Sequence, residues 1–349
     1  MHQAAPRRPG GRRCGAEGES LTTRISPRIA LLLTLPPLLW AGNAVVGRLL
    51  VGSVPPLALN ALRWSLALIL LLPLGWTVLK RPGLIAQRWK HMALLGLLGV
   101  GSYNALQYLA VQTSTPLNVT LIAASLPVWM LAFGTLLYRE SPSRAQLVGA
   151  ALSLLGVALV ISRGSWHTLV HVHFVLGDLY MLLAVVLWAL YSWMLARPPA
   201  TMRGAQRPPW NWAESLLVQV LFGTAWAGAG AGLEAWAGTT PIHWSAGVVA
   251  ALVYVAVGPA LVAYRCWGLG VATVGPALAA FFGNLTPVFA AVLSATLLGE
   301  LPHWYHAVAF ILIAAGIAVS SRRRVATAPD VAAASAEPAT ARPREPHRR

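Results

Sequence analysis

Charge is scarce in this chain. Asp, Glu, Lys and Arg make up 10% of its 349 residues, where a soluble domain carries roughly 25%. So few charges cannot coat a water-facing surface of this size. Runs such as 66–72 and 145–161 also lack the charged face, at helical period, that a large soluble bundle needs. Acids are scarcer than bases, 10 against 26. Cysteine is almost missing: Cys14 and Cys266 give neither a disulfide framework nor a metal-ligand spacing. There is no His-Glu-x-x-His, no Gly-x-Ser-x-Gly and no phosphate loop. His167, His171 and His173 share one connection and are read as solvated. No catalytic residue, metal or cofactor is therefore expected, and the chain does not read as an enzyme.

What the chain has in abundance is apolar sequence, 57% of its residues. A bilayer-spanning helix needs about 20 such residues at 1.5 Å each. Runs of that kind fall at 29–50, 56–79, 92–111, 117–138, 145–161, 175–195, 215–236, 246–267, 274–298 and 304–320. The seventh is the weakest, rich in Gly and Ala and carrying Gln219 and Glu234. The expected fold is an all-α integral membrane protein of ten transmembrane helices. Residues 1–27 are Arg-rich without an apolar core, so a disordered basic tail is expected rather than a signal peptide. Residues 322–349, without periodicity, are expected to be a second disordered tail.

The net charge of +16 is unevenly placed. Arg7, Arg8, Arg12, Arg13, Arg24 and Arg28 precede or open the first run. Lys80, Arg81, Arg88 and Lys90 lie between the second and third, Arg139 and Arg144 between the fourth and fifth, and Arg197, Arg203 and Arg207 between the sixth and seventh. Arg265 is read as marking the eighth-to-ninth connection, and Arg322, Arg323 and Arg324 follow the tenth run. The alternate connections, 52–55, 112–116, 238–243 and 299–303, hold no Lys or Arg, and Arg163 is the exception on that side. Lys and Arg collect on the cytoplasmic side. Both termini are thus expected in the cytoplasm, the span count even, and the location the plasma or inner membrane. The basic excess is topogenic, so nucleic acid is not expected as a partner. Trp76, Trp89, Trp236, Trp244, Trp267 and Trp304 stand near run ends, as an aromatic belt does.

The chain also resembles itself. Leu126-Pro127-Val128 in the fourth run is matched by Thr286-Pro287-Val288 in the ninth, and Pro127 and Pro287 each precede a glutamate, Glu140 or Glu300, by thirteen residues. Two five-helix repeats, 28–163 and 174–321, are expected. Five is odd, so the second repeat runs the opposite way through the membrane, with a site between the halves near the midplane.

These stretches, together with Trp40-Ala41-Gly42-Asn43, Ala61-Leu62-Arg63-Trp64, Gly177-Asp178-Leu179, Tyr264, Trp267 and Leu297-Leu298-Gly299-Glu300, resemble the EamA-type exporters of the drug/metabolite transporter superfamily over residues 29–321. The resemblance implies inverted five-helix repeats, a central cavity, and export of small metabolites, often amino acids or related compounds. The sequence departs from the family pattern at Tyr138-Arg139-Glu140 and at Thr286-Pro287, where relatives often carry Gly-Glu-Arg and Glu-Pro.

Polar groups inside the runs are the candidate substrate ligands: Asn43, Arg63, Tyr103, Asn104, Gln107, Tyr108, Trp188, Tyr191, Tyr264, Asn284 and Thr286. Asn118, Thr120 and Ser125 are weaker candidates of the same kind. Small polar groups also bond helix to helix in membranes. Arg63 lies about 10 Å inside the second run. Two readings are open for it, a bond to backbone carbonyls or a hold on a substrate carboxylate. Arg48, near a run end, is expected to snorkel. Pro127, Pro259 and Pro287 remove backbone bonds mid-run and are candidate kinks or hinges. The acids keep to the run ends, so no intramembrane proton carrier is evident. The expected partners are the lipid bilayer and a small-molecule substrate. The competing reading is a membrane scaffold or sensor without transport, which lacks a loop long enough for an interaction domain.

Overall fold

Proline costs a helix little at its first position, where its missing N–H has no intrahelical partner. The chain opens helices this way at Pro27, Pro56, Pro116 and Pro276. The computed structural model describes residues 26–114, 116–171, 173–238, 241–298 and 303–321. Among them every regular element is helical. Nine helices are long and apolar enough to cross a membrane: Pro27–Leu49, Pro56–Lys80, Trp89–Thr113, Val119–Tyr138, Arg144–Ile161, Leu176–Ala196, Trp212–Trp236, Ala246–Val274 and Pro276–Leu293. A shorter apolar helix, Trp304–Ser320, is tenth in order; its 17 residues sit at the lower limit for spanning, roughly 17. The residues before Ser26 and after Ser321, where the tails were expected, and Glu300 lie outside the described residues.

Each apolar run falls on one of these helices, with one correction. The eighth run was expected to end at Trp267, with Arg265 in the connection. The helix instead continues to Val274. Arg265 is accommodated because its guanidinium lies over the Trp212 ring, 4.9 Å from the centroid, while its aliphatic stem follows the helix. The connection is Gly275, at φ 83°, a conformation that glycine adopts without a Cβ clash. Trp267 is therefore not in the belt. It is fully buried, whereas Trp76, Trp89, Trp236, Trp244 and Trp304 are at least half exposed.

The two halves share a pattern of irregularities. The third helix widens to π turns over Gly96–Ser102, and the eighth does so over Ala256–Val262, around Pro259. The fourth is broken between Pro116–Ala123 and Leu126–Tyr138, and the ninth between Pro276–Gly283 and Thr286–Leu298. Pro127 and Pro287 stand in the first turn after each break. From the π segment onward these elements start 160 residues after their counterparts: 256 against 96, 276 against 116, 286 against 126, and 304 against 144.

Packing follows from small residues and capped ends. A Cβ on Gly149 of the fifth helix would lie 2.6 Å from the Gly316 carbonyl of the tenth, so these backbones touch. The seventh helix lies along the second and is tied to both its ends. Glu234 accepts from the Leu57 and Ala58 amides (3.0 and 2.8 Å), satisfying orphan donors at the helix start. Glu214 accepts from the Thr77 hydroxyl in the last turn at the other end, and from the Asn211 amide in a capping box. Leu31, Leu136, Leu147, Leu155 and Ile311 are more than half exposed. Such faces invite association in water and are at home against lipid.

Candidate functional site

On the third helix, residues four apart share a face, and two adjacent faces carry two jobs. Asn104 and Tyr108 face Arg63 of the second helix. Arg63 Nη1 donates to Asn104 Oδ1 (2.7 Å), the Tyr108 hydroxyl (3.0 Å) and Asn43 Oδ1 (3.2 Å). Tyr108 donates in turn to Asn43 Oδ1 (2.9 Å). Of the two open readings of Arg63, the backbone-carbonyl bond is thus not observed; its partners are side chains. The guanidinium is fully buried, its three partners are neutral, and its Nε and Nη2 have none. A buried cation without a carboxylate is costly. Arg48 is exposed, and its Nη1 donates to the Val111 carbonyl (3.5 Å).

Tyr103 and Gln107, on the next face, look into a cavity of about 80 Å³ among the first, third, fourth, sixth and ninth helices. Gln107 joins the two faces, because its Oε1 accepts from Asn43 Nδ2 at 3.4 Å. Trp188 of the sixth helix is the centre of the cavity's aromatic wall. Around it stand Tyr103 (centroids 4.9 Å apart), Tyr191 (5.0 Å), Trp40 (5.3 Å), Tyr264 (5.3 Å) and Trp267 (5.8 Å). The polar handles of four of these six rings are tied. Tyr264 donates to the Gly99 carbonyl in the first π segment, and Trp40 Nε1 donates to the Pro259 carbonyl in the second (3.4 Å). Tyr191 donates to Gln219 Oε1 (3.2 Å), and Trp267 Nε1 to Ser192 Oγ (3.0 Å). Rings held by both packing and a hydrogen bond form a rigid wall.

The sequence candidates thus fall into three groups. Tyr103, Gln107, Trp188 and Thr286 line the cavity, with Thr120 and Pro287. Asn43, Arg63, Asn104 and Tyr108 form the net behind Gln107. Tyr191 and Tyr264 form a second layer behind Trp188. Asn284 is buried at the break in the ninth helix, its side-chain nitrogen unpartnered, and is not in the cavity wall. Asn118 lies outside the described side chains, and Ser125 bonds its own helix at Ile122 O (2.6 Å). Sequence reasoning missed Trp40, Ala44, Ala123, Ala124 and Gly283 as lining residues. Trp40 was findable, since it lies three residues before Asn43 and so near its face. The small residues gave no signal; they make room and carry no polar atom. None of the four acids among the described residues, Glu140, Asp178, Glu214 and Glu234, lines the cavity.

The comparisons agree with this architecture. The EamA-like transporter family profile matches residues 27–162 and again 175–322. An uncharacterized transporter of Archaeoglobus fulgidus is 27% identical over 297 residues, covering 84% of this chain and 97% of that protein. The aromatic amino acid exporter YddG of Ancylobacter novellus is 25% identical over 291 residues, covering 81% and 93%. The uncharacterized inner membrane transporter YedA of Escherichia coli K12 is 26% identical over 273 residues, covering 75% and 80%. One protein crystal structure superposes with a TM-score of 0.66 at 23% identity, over 84% of this chain and 96% of its own, which is a likeness of fold. A multi-pass membrane chain with this profile works in transport and not in catalysis. It belongs to the EamA-like transporter family.

Proposed function

We propose that the chain exports small amphipathic carboxylates across the cell membrane by alternating access, with aromatic amino acids and their relatives the first class to test. The observation that carries this reading is the buried, uncompensated Arg63 guanidinium beside a wall of tryptophan and tyrosine. The guanidinium net suits a carboxylate, reached through Gln107, and the rings of Trp40, Tyr103 and Trp188 suit an apolar or aromatic body. The cavity, about 80 Å³, is well below the roughly 300–1,000 Å³ of ligand-holding pockets. Binding therefore requires it to widen, and the broken fourth and ninth helices that flank it are the natural moving parts. The Ancylobacter novellus relative, named for aromatic amino acid export, points to the same class.

The same reading has ten spans in two inverted five-helix repeats, with both termini in the cytoplasm. The constant spacing of π segments, helix breaks and Pro127/Pro287 supports the repeat. Pro127, Pro259 and Pro287 are then hinges, placed where the helices already lack backbone bonds.

The test is efflux. Cells with and without the chain are loaded with labelled tryptophan, phenylalanine, phenylacetate and the neutral benzyl alcohol. Faster loss of the carboxylates, abolished by Trp188→Ala, is expected. Equal loss of all four from both cells would sink the reading.

A further inference from the structure

A second space lies in the helix ends on the Arg-rich side. Its volume is about 560 Å³, within the range of ligand pockets, whereas the central cavity is too small for an amino acid. It sits at the start of the third and seventh helices and the end of the sixth, away from the Ala44–Val119 end of the cavity. Its floor is apolar: Met92, Leu95, Met194 and Trp210. Methionines and a tryptophan together suit a flat or irregular apolar body. Its rim carries Arg203 and Arg207, both exposed, whose side chains make no hydrogen bond or ion pair among the described residues. The rim is not loose chain. Arg88, only 8% exposed, donates Nε to the Thr201 carbonyl (3.0 Å) and Nη2 to the Gln206 carbonyl (2.7 Å), fixing the connection that bears both arginines.

The inner end of this space is Gln219. Its Oε1 accepts the Tyr191 hydroxyl, and the Tyr191 ring packs on Trp188. A contiguous chain of three side chains, Gln219, Tyr191 and Trp188, therefore runs from this space to the central cavity. We infer that it is a loading vestibule for an organic anion or zwitterion with an apolar body: Arg203 and Arg207 attract the carboxylate, the Met/Trp floor holds the body, and the Gln219–Tyr191 bond is the gate to the cavity. This inference rests on the export reading for direction. It does not need that reading for binding.

The experiment uses the full chain in proteoliposomes with Cys14→Ser, Cys266→Ser and a reporter Met202→Cys in the vestibule wall. Maleimide labelling of the reporter is timed with phenylacetate, phenylalanine or benzyl alcohol present. The two carboxylates should slow labelling more than the alcohol, and high salt should weaken the protection, because exposed charges are screened. Arg203→Gln with Arg207→Gln should abolish the difference. In transport, the same pair should raise KM about tenfold with kcat and Tm unchanged, since rim charges act on encounter. Protection by neither carboxylate, or protection indifferent to the double variant, overturns the vestibule and leaves the two arginines topogenic only. Protection without efflux keeps the vestibule and removes the export reading. Efflux without protection does the reverse.

Discussion

A guanidinium inside a spanning helix costs roughly 2.5–3.5 kcal/mol on insertion scales. Arg63 recovers part of that through Asn43, Asn104 and Tyr108 and leaves Nε and Nη2 unbonded. A residue kept for stability alone would pair those groups. Arg63→Gln removes the charge and keeps an amide that the same three partners can bond. We expect its Tm to equal or exceed that of the parent, and its kcat/KM for carboxylates to fall about ten- to hundredfold. That is the loss of one charge-assisted bond of roughly 1.5–3 kcal/mol. A lower Tm with normal carboxylate transport would make Arg63 a clasp between helices. At this scale the polar residues and tyrosines that gather here, with Trp188, were legible as candidates, and Trp40 and Trp267 were not. Asn43, Arg63, Asn104 and Tyr108 stand out because an apolar run gives polar side chains no other reason to be there. Trp40 and Trp267 do not: a tryptophan inside an apolar run, as Trp40 is, reads as packing, and one near a run end, as Trp267 is, reads as belt.

Except at the end of the eighth, the helices were legible to a few residues, since their length is set by the bilayer; their irregularities were not. A π turn changes which carbonyl is bonded and leaves hydropathy untouched, so nothing in an apolar run announces it. Only Pro259 hinted at one. Yet the π segments matter because cage residues satisfy their carbonyls: Tyr264 bonds Gly99 in one, and Trp40 bonds Pro259 in the other. The substrate-facing wall is thereby fastened to the two places where the helices are least regular. Tyr264→Phe keeps the ring against Trp64 (4.9 Å) and Trp188 (5.3 Å) and removes one donor. It removes one donor from a buried carbonyl, at a cost of about 0.5–1.5 kcal/mol. We expect lower Tm, faster amide exchange over residues 96–102, and substrate affinity within about threefold of the parent. Unchanged exchange in that segment, beside a lower Tm, would show that the hydroxyl packs and does not brace the π turns.

For the whole molecule, the question is how the apolar helices are oriented, and the pattern of positive charge still predicts an orientation after one is lost to the count. Arg265 lies inside the eighth helix, so the one-residue connection at Gly275 carries no basic residue. The remaining connections on that side keep theirs: Lys80 to Lys90, Arg139 and Arg144, and Arg197 to Arg207. The opposite side has only Arg163 among its short connections. A bias of this size in short loops sets orientation. It also bears on the tenth helix, the shortest, because Arg322, Arg323 and Arg324 directly follow it. If that helix crosses, those three arginines join the basic side, and the second half contains five spans matching the first in element order but opposite in direction. If it does not cross, they lie on the basic-poor side against the rule, and the inverted repeat fails. Reporter fusions after Ile85, Ala200 and Arg324 should therefore read cytoplasmic, and fusions after Val170 and Thr240 external. An external reading after Arg324, with the other four as expected, would leave nine spans and make the 160-residue recurrence of π segments and breaks (256 against 96, 286 against 126) a likeness without inversion.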